Sequence, residues 1–339
     1  MRFTKITTAG AGVIGSQVAW QMAFHGKHVV VYDAIPEGLQ KGQALHLEYA
    51  EHFVGRRGAT REQIDDTFAR LEYTTDLAAA VHDADLISES VPESLSIKES
   101  FWREASRHAP PRTVFTTNTS TLRPSALADF VDRPQKFLAL HFAIGVWDSN
   151  IGEVMGHPGT DTAVFDGLLE FAEEIGLVPI PIRKEQSGYI INSLLVPWCT
   201  AALELLVRGV SDVQSIDRTW MITLRRGMGP FGMMDRMGLG VVHHVAELLG
   251  ETTPNTQALV SARYLDEHFI EKGHLGVASG QGFYRYPNPA FEQPGFIDGP
   301  AHPQRSHDND KATSPVQASV SETESFAPTK KEQPDGGHR

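Results

Sequence analysis

Cysteine is almost missing from these 339 residues: Cys199 stands alone, so no disulfide can close within the chain. Its setting, LLVPWCTAALELL, reads as a small apolar helix residue and suits a reducing cytoplasm. Long apolar runs are lacking too. None approaches the roughly 18 residues of a membrane span, and MRFTKITTAGAGVIG has no h-region, so it reads as a first strand rather than a signal peptide. Positive charge is in deficit, with 30 Lys and Arg against 42 Asp and Glu. That balance argues against a nucleic-acid surface, which needs clustered cations; Arg56-Arg57 and Arg225-Arg226 are only local pairs. His157, His243 and His244 show no metal-ligand spacing with acidic or cysteine partners, so no metal is expected.

What is present is an alternation of short β-rich runs and helical stretches. ITTAG, HVVVYD, ADLISES, TVFTTNT, KFLALHF and LVPIPI read as strands with helices between most of them, from residue 3 to about 183. This predicts an α/β fold: an N-terminal Rossmann-type doubly wound sheet followed by an all-α C-terminal domain. The expected divisions are 1-185 for the nucleotide-binding domain, 186-287 for the helical domain and 288-339 for a disordered tail. The tail follows from a Pro-, Ser- and charge-rich composition with few large apolar residues. No internal repeat is found.

Between the first strand and the first helix, Gly10, Gly12 and Gly15 form G-x-G-x-x-G, with Val13 and Ile14 in the same turn. Gly10 permits the tight turn, Gly12 lets backbone approach a pyrophosphate, and Gly15 allows close helix-to-strand packing. Asp33 follows Gly10 by 23 positions at the end of HVVVYD, where a carboxylate accepts from an adenosine ribose and repels a 2′-phosphate. The expected cofactor is therefore NAD.

A dinucleotide fold names a cofactor, not a reaction. Oxidising an alcohol removes a proton as well as a hydride, and histidine is suited to take it near neutral pH. His141 ends KFLALHF at the strand end where ligands gather, and a turn of about ten residues would bring Glu153 of GEVMG back to fix its tautomer. Read singly, His141 is equally a hydrogen-bonded strand-end histidine and Glu153 an exposed acid. Asn118 and Ser120 of TTNTSTL follow another strand at the same edge, where they meet a substrate oxygen or the nicotinamide. Asn192, early in the linking helix, is placed to donate to a developing oxyanion or to make a local helix-start bond.

With these residues in view, the chain resembles the L-3-hydroxyacyl-CoA (3-hydroxybutyryl-CoA) dehydrogenases from Lys5 to Tyr286. The likeness rests on GAGVIG, PESLSIK, NTS, His141-Phe142 with Glu153, GYIINSLLVP, MGPFGMMDRMGL and GQGFYRY. It implies His141 as the acid/base, Glu153 as its partner, substrate-facing roles for Ser120 and Asn192, and dinucleotide contacts for Asp33, Glu93 and Lys98. By residue type alone, Glu93 is a first-turn acid and Lys98 an exposed lysine. The implied reaction is reversible NAD-dependent oxidation of an (S)-3-hydroxyacyl-CoA by a homodimer. A dimer also suits the concentration of Met221, Met228, Met233, Met234 and Met237, which otherwise reads as core.

Other dehydrogenases fit less well. The 3-hydroxyisobutyrate and 6-phosphogluconate enzymes place a catalytic lysine on the linking helix, and none lies between Gln186 and Arg225. Malate and lactate dehydrogenases lack the helical second domain. The resemblance itself departs at Ala143-Ile144-Gly145, where the family has Phe-Asn-Pro; Asn150 in the same loop is the candidate replacement for the lost amide. The segment offered to CoA holds few cations beyond Arg56 and Arg57, and Ala278 replaces a basic residue in VASGQGFY. The alternatives are an NAD-dependent dehydrogenase of a small free 3-hydroxy acid, like the carnitine and gulonate dehydrogenases, and a non-catalytic, crystallin-like NAD-binding protein.

Overall fold

The strand runs are apolar on both sides, as a sheet covered on two faces requires. Leu86 packs into one core and its neighbour Ile87 into another, and Val114 and Phe115 divide the same way. A computed structural model describes residues 1–298. Its eight strands are β1 Lys5–Ala9, β2 His28–Tyr32, β3 Leu71–Thr74, β4 Leu86–Glu89, β5 Val114–Thr117, β6 Phe137–Phe142, β7 Ile151–Met155 and β8 Val178–Ile182. They form one sheet in the order β3-β2-β1-β4-β5-β6-β7-β8. Every pairing is parallel except β6 with β7.

That single antiparallel step matters for the site, because its register sets His141 opposite Glu153. The connection over residues 143–150 folds the carboxylate back, as expected from the sequence, and does so as the link of an antiparallel strand pair. Strand β3, absent from the sequence reading, is a four-residue edge strand with only Leu71 buried, so it carries little apolar signal.

Helices α1 Val13–Phe24, α2 Pro36–Arg57, α3 Arg61–Phe68, α4 Leu77–Val81, α5 Leu95–His108 and α6 Thr162–Glu174 connect the strands. Trp20 of α1, fully buried, anchors the larger core edge-on against Phe53 of α2 and Phe68 of α3. After β8 come α7 Ile191–Val207, α8 Val213–Leu224, α9 Pro230–Met237, α10 Leu239–Thr252 and α11 Thr256–His268. Their core includes Leu203, Phe231, Leu239 and Leu265, and also Met221 and Met234, so these two methionines are interior residues. Among the described residues, no helix is long and apolar enough to cross a membrane.

Two buried carboxylates tie the helical motifs together. Asp217 accepts from the backbone N–H of Phe231 and Gly232 and from the Tyr284 hydroxyl; Asp235 accepts from the N–H of Phe283 and Tyr284. Desolvation pushes Asp235 up to about 6, against the hydrogen bonds that favour its charge.

The expected tail needs correction at its start. Residues 288–298 carry two short 3-10 turns, and Phe291 and Phe296 bury their rings in the helical core. A segment polar on average is anchored by two aromatics that find a complementary surface. Residues 299–339, the remainder of that expectation, lie outside the described residues.

Candidate active site

At the end of β1 the chain turns at Gly10, whose φ of +95° lies in the left-handed region that favours glycine. A β-carbon there would stand 2.4 Å from the Ser90 carbonyl oxygen, and one on Gly15 would stand 1.9 Å from the Gly10 oxygen. Only glycines allow β1, the loop after β4 and α1 to approach this closely. Gly12 faces open space and N-caps α1 without any side-chain hydrogen bond, so the first-turn N–H groups remain available to an anion.

Asp33 sits beside this loop. Its Oδ2 accepts from the Ala11 N–H at 2.8 Å and its Oδ1 from the Ile35 N–H at 3.0 Å, leaving lone pairs on both oxygens. A cleft of about 1210 Å³ runs past Gly10, Gly12, Val13 and Asp33, with Ser90 and Ile97 among its other lining residues. Uncapped helix, glycine loop and carboxylate together fit a dinucleotide: pyrophosphate on α1 and ribose on Asp33. Ile14, packed against the core, and the buried Gly15 shape this loop without lining the cleft.

Farther along the same C-terminal edge of the sheet, His141 Nδ1 lies 2.8 Å from Glu153 Oε2, and His141 Nε2 lies 3.2 Å from Ser120 Oγ. Both members of the pair are buried. Glu153 Oε1 accepts from the N–H groups of Ile190 and Ile191, at 2.8 and 3.0 Å, so each carboxylate oxygen has a donor. A carboxylate fixed in this way holds the Nδ1–H tautomer and turns Nε2 toward the exposed Ser120. The arrangement can pass a proton between a substrate oxygen and the imidazole.

Both halves of the fold match family models: residues 5–186 match the 3-hydroxyacyl-CoA dehydrogenase NAD binding domain, and residues 188–286 match the C-terminal domain. The chain belongs to the 3-hydroxyacyl-CoA dehydrogenase family. Its cofactor is accordingly NAD and it is an oxidoreductase of this kind. It is 29% identical over 286 residues to the mitochondrial hydroxyacyl-coenzyme A dehydrogenase of Rattus norvegicus, covering 83% of this chain and 90% of that one. A probable 3-hydroxybutyryl-CoA dehydrogenase of Bacillus subtilis is 27% identical over 290 residues, 84% of this chain and 98% of that one. Among solved structures, a diketoreductase described as showing substrate-directed dual catalysis of dicarbonyl compounds is 43% identical. It superposes with a TM-score of 0.78 over 84% of this chain and 100% of its own.

Other residues singled out in this 3-hydroxyacyl-CoA dehydrogenase family member fall around the site in different ways. Asn118 spends both ends of its amide on crosslinks: Oδ1 accepts from the Phe142 N–H at 2.9 Å, and Nδ2 donates to Ser90 Oγ at 3.2 Å. It braces the strand ends from behind and does not line the cleft. Lys98, read by residue type as exposed, is buried, with its ammonium 2.6 Å from Glu89 Oε1 and 3.2 Å from Glu93 Oε2. Glu93 also accepts from the Thr119 hydroxyl and from the hydroxyl and N–H of Thr121, the residues flanking Ser120. Burial opposes ionisation of Glu93, yet Thr119, Lys98 and Thr121 together hold its carboxyl below the usual value. Asn192 lies on the first turn of α7, half-buried, and makes no side-chain hydrogen bond to His141, Glu153 or Ser120.

Sequence reasoning missed Glu89 and Tyr189. An acid closing a buried strand signalled the first; a Gly-aromatic pair before a helix was the only sign of the second. The departing loop is fixed at several points. The N–H of Gly145 donates to Gln17 Oε1 at 2.8 Å, Trp147 packs on Tyr49 and Phe53, and Asp148 pairs with Arg57 at 3.1 Å. Asn150 does not replace the missing amide: its Nδ2 donates to the Gly176 carbonyl, away from the dyad. Exposed Arg236 reaches over from α9, its Nη2 2.7 Å from where a β-carbon on Gly145 would be.

Proposed function

We propose that the protein catalyses reversible, NAD-dependent oxidation of a 3-hydroxy group to a 3-oxo group beside a second carbonyl. The observation that carries this is the buried His141–Glu153 pair with Ser120 on the outer nitrogen. In the oxidative direction His141 Nε2 takes the hydroxyl proton, Ser120 orients the reacting oxygen, and Glu153 stabilises the imidazolium. NAD, when bound, would supply the hydride acceptor, and Gly10, Gly12, Val13 and Asp33 would hold its adenosine and pyrophosphate end. In the reductive direction the imidazolium returns its proton to the ketone oxygen. Asn192, with its amide uncommitted, is assigned to the substrate side.

The family supports an (S)-3-hydroxyacyl-CoA as substrate. A second reading, a small free acid or dicarbonyl compound, is favoured by particular residues. Arg57, one of the few cations available to CoA phosphates, is engaged by Asp148 and stacked over Phe53 at 5.5 Å. Arg236 places a positive charge beside Gly145, four positions after His141. The 43% identical diketoreductase points the same way. Following NADH absorbance with acetoacetyl-CoA, acetoacetate, carnitine, gulonate and a 3,5-dioxo ester separates these readings. Turnover of acetoacetyl-CoA alone supports the thioester, and turnover of the others alone sinks it. On the acid reading, Arg236→Leu lowers kcat/KM for acetoacetate by about tenfold, the value of one charged hydrogen bond, and spares the ester. NADH binding without any turnover refutes the proposal and leaves a binding protein.

The homodimer is also part of this reading. Ile222, Leu224, Val241 and Leu248 expose apolar side chains on the helical domain, a surface that association would cover. Sedimentation that finds only monomer at working concentration removes the dimer.

A further inference from the structure

Tyr189 is fully buried and holds a φ of +55°, a left-handed conformation that side-chain-bearing residues rarely adopt; Gly188 before it is at +79°. Two such residues in succession turn the chain between β8 and α7, and the turn does two things. It lays the Tyr189 ring almost flat on the His141 imidazole, with centroids 4.4 Å apart and planes 21° from parallel. It also presents the N–H groups of Ile190 and Ile191 to Glu153 Oε1, while Oε2 of the same carboxylate faces His141 Nδ1.

One hydrogen bond at Nδ1 leaves an imidazole free to tilt. A ring against its face removes that freedom and keeps Nε2 aimed at Ser120. We infer that Tyr189 is the positioning residue of the acid/base pair: its ring fixes the plane of His141 and its π face favours the imidazolium. This rests on the acid/base reading of His141. The ring carries the effect and the hydroxyl does not, because the Tyr189 hydroxyl is buried with no hydrogen-bond partner among the described residues. The charged and titratable groups around the stacked pair are Glu153 from β7, Glu185 from the connection leading to α7, and Glu89, Glu93 and Lys98 from the network behind the Ser120 loop. Within that set the Lys98 ammonium is paired with Glu89 and Glu93.

The test compares wild type, His141→Gln, Tyr189→Phe, Tyr189→Leu and Tyr189→Met for thermal midpoint, NADH affinity and the pH profile of kcat in the oxidative direction. Tyr189→Phe is expected to keep kcat, the acid limb and the midpoint. Tyr189→Leu and Tyr189→Met are expected to bind NADH normally and to lose about ten- to hundredfold in kcat, the scale of a misplaced catalytic group. Their acid limb moves to lower pH, since the imidazolium has lost its aromatic face. Met, unbranched and adaptable, supplies the answer if Leu does not fold. Folded Leu or Met variants with wild-type kcat and acid limb overturn the inference, as does a Phe variant as impaired as Leu. An active His141→Gln fails the acid/base reading itself; an inactive one beside a normal Tyr189→Leu fails only the positioning role.

Discussion

His141→Gln is expected to lower kcat at least about a hundredfold, the usual contribution of a general acid/base, while leaving NADH affinity within a factor of about two. The two effects separate because the residues lining the dinucleotide cleft and those around the imidazole belong to different loops. Glutamine preserves a donor to Glu153 and much of the volume, so the buried carboxylate keeps a partner in addition to the Ile190 and Ile191 N–H groups. What it cannot do is exchange a proton near neutral pH. The acid limb of the pH profile is therefore expected to vanish along with the rate. Glu153→Gln should fall between the variant and wild type. One amide end cannot accept from both backbone N–H groups while the other also accepts from Nδ1–H, so the tautomer of His141 is no longer fixed. Retention of most activity by His141→Gln on a good substrate would falsify the proposed chemistry.

Much of this was readable from the chain, and the failures share a cause. HVVVY and FLALHF are buried strands because β-branched and aromatic runs have few other stable uses, and G-x-G-x-x-G between strand and helix specifies its own backbone. His141 and Glu153 were each visible, but their contact depends on register. Only the pairing of β6 with β7 puts residues 12 apart in sequence directly opposite. Asn118 looked like a ligand group because an amide at a strand end has no local reason to be consumed; its partners, Ser90 and Phe142, come from neighbouring strands. Tyr189 precedes a helix like many aromatics, and its meaning comes from an imidazole 48 positions earlier. Phe291 and Phe296 were hidden by an averaged composition that dilutes two anchors among polar residues. Strong local propensity was thus legible, while the short edge strand β3 and side chains whose partners lie far along the chain were not.

Lys98→Met is the substitution with the largest expected effect on stability, about 3–5 kcal/mol, because it removes one member of a buried ion pair and strands the other. Glu89 is fully buried, accepts from Lys98 Nζ at 2.6 Å, from Thr117 Oγ1 at 2.7 Å and from the Val91 N–H at 3.0 Å, and has no route to water. Burial already pushes its carboxyl above the ordinary glutamate value, against the opposing pull of Lys98. Without the ammonium that pull is gone and the folded-state value rises further. A group whose folded value is raised contributes stability that is fully present below its unfolded value and lost as pH climbs through the folded one. The deficit of Lys98→Met should therefore widen from about pH 5 to about pH 8, as the folded carboxyl must either hold its proton or bear an uncompensated charge. Adding Glu89→Gln removes that charge and should recover most of the loss and its pH dependence. Urea unfolding at both pH values measures these differences, and a single variant within about 1 kcal/mol of wild type throughout would mean that the pair does not set stability here. The same change reaches the chemistry. Lys98 also holds Glu93, and Glu93 gathers Thr119 and Thr121 on either side of Ser120, so the loop that presents Ser120 to His141 loses its anchor when the buried cation is removed.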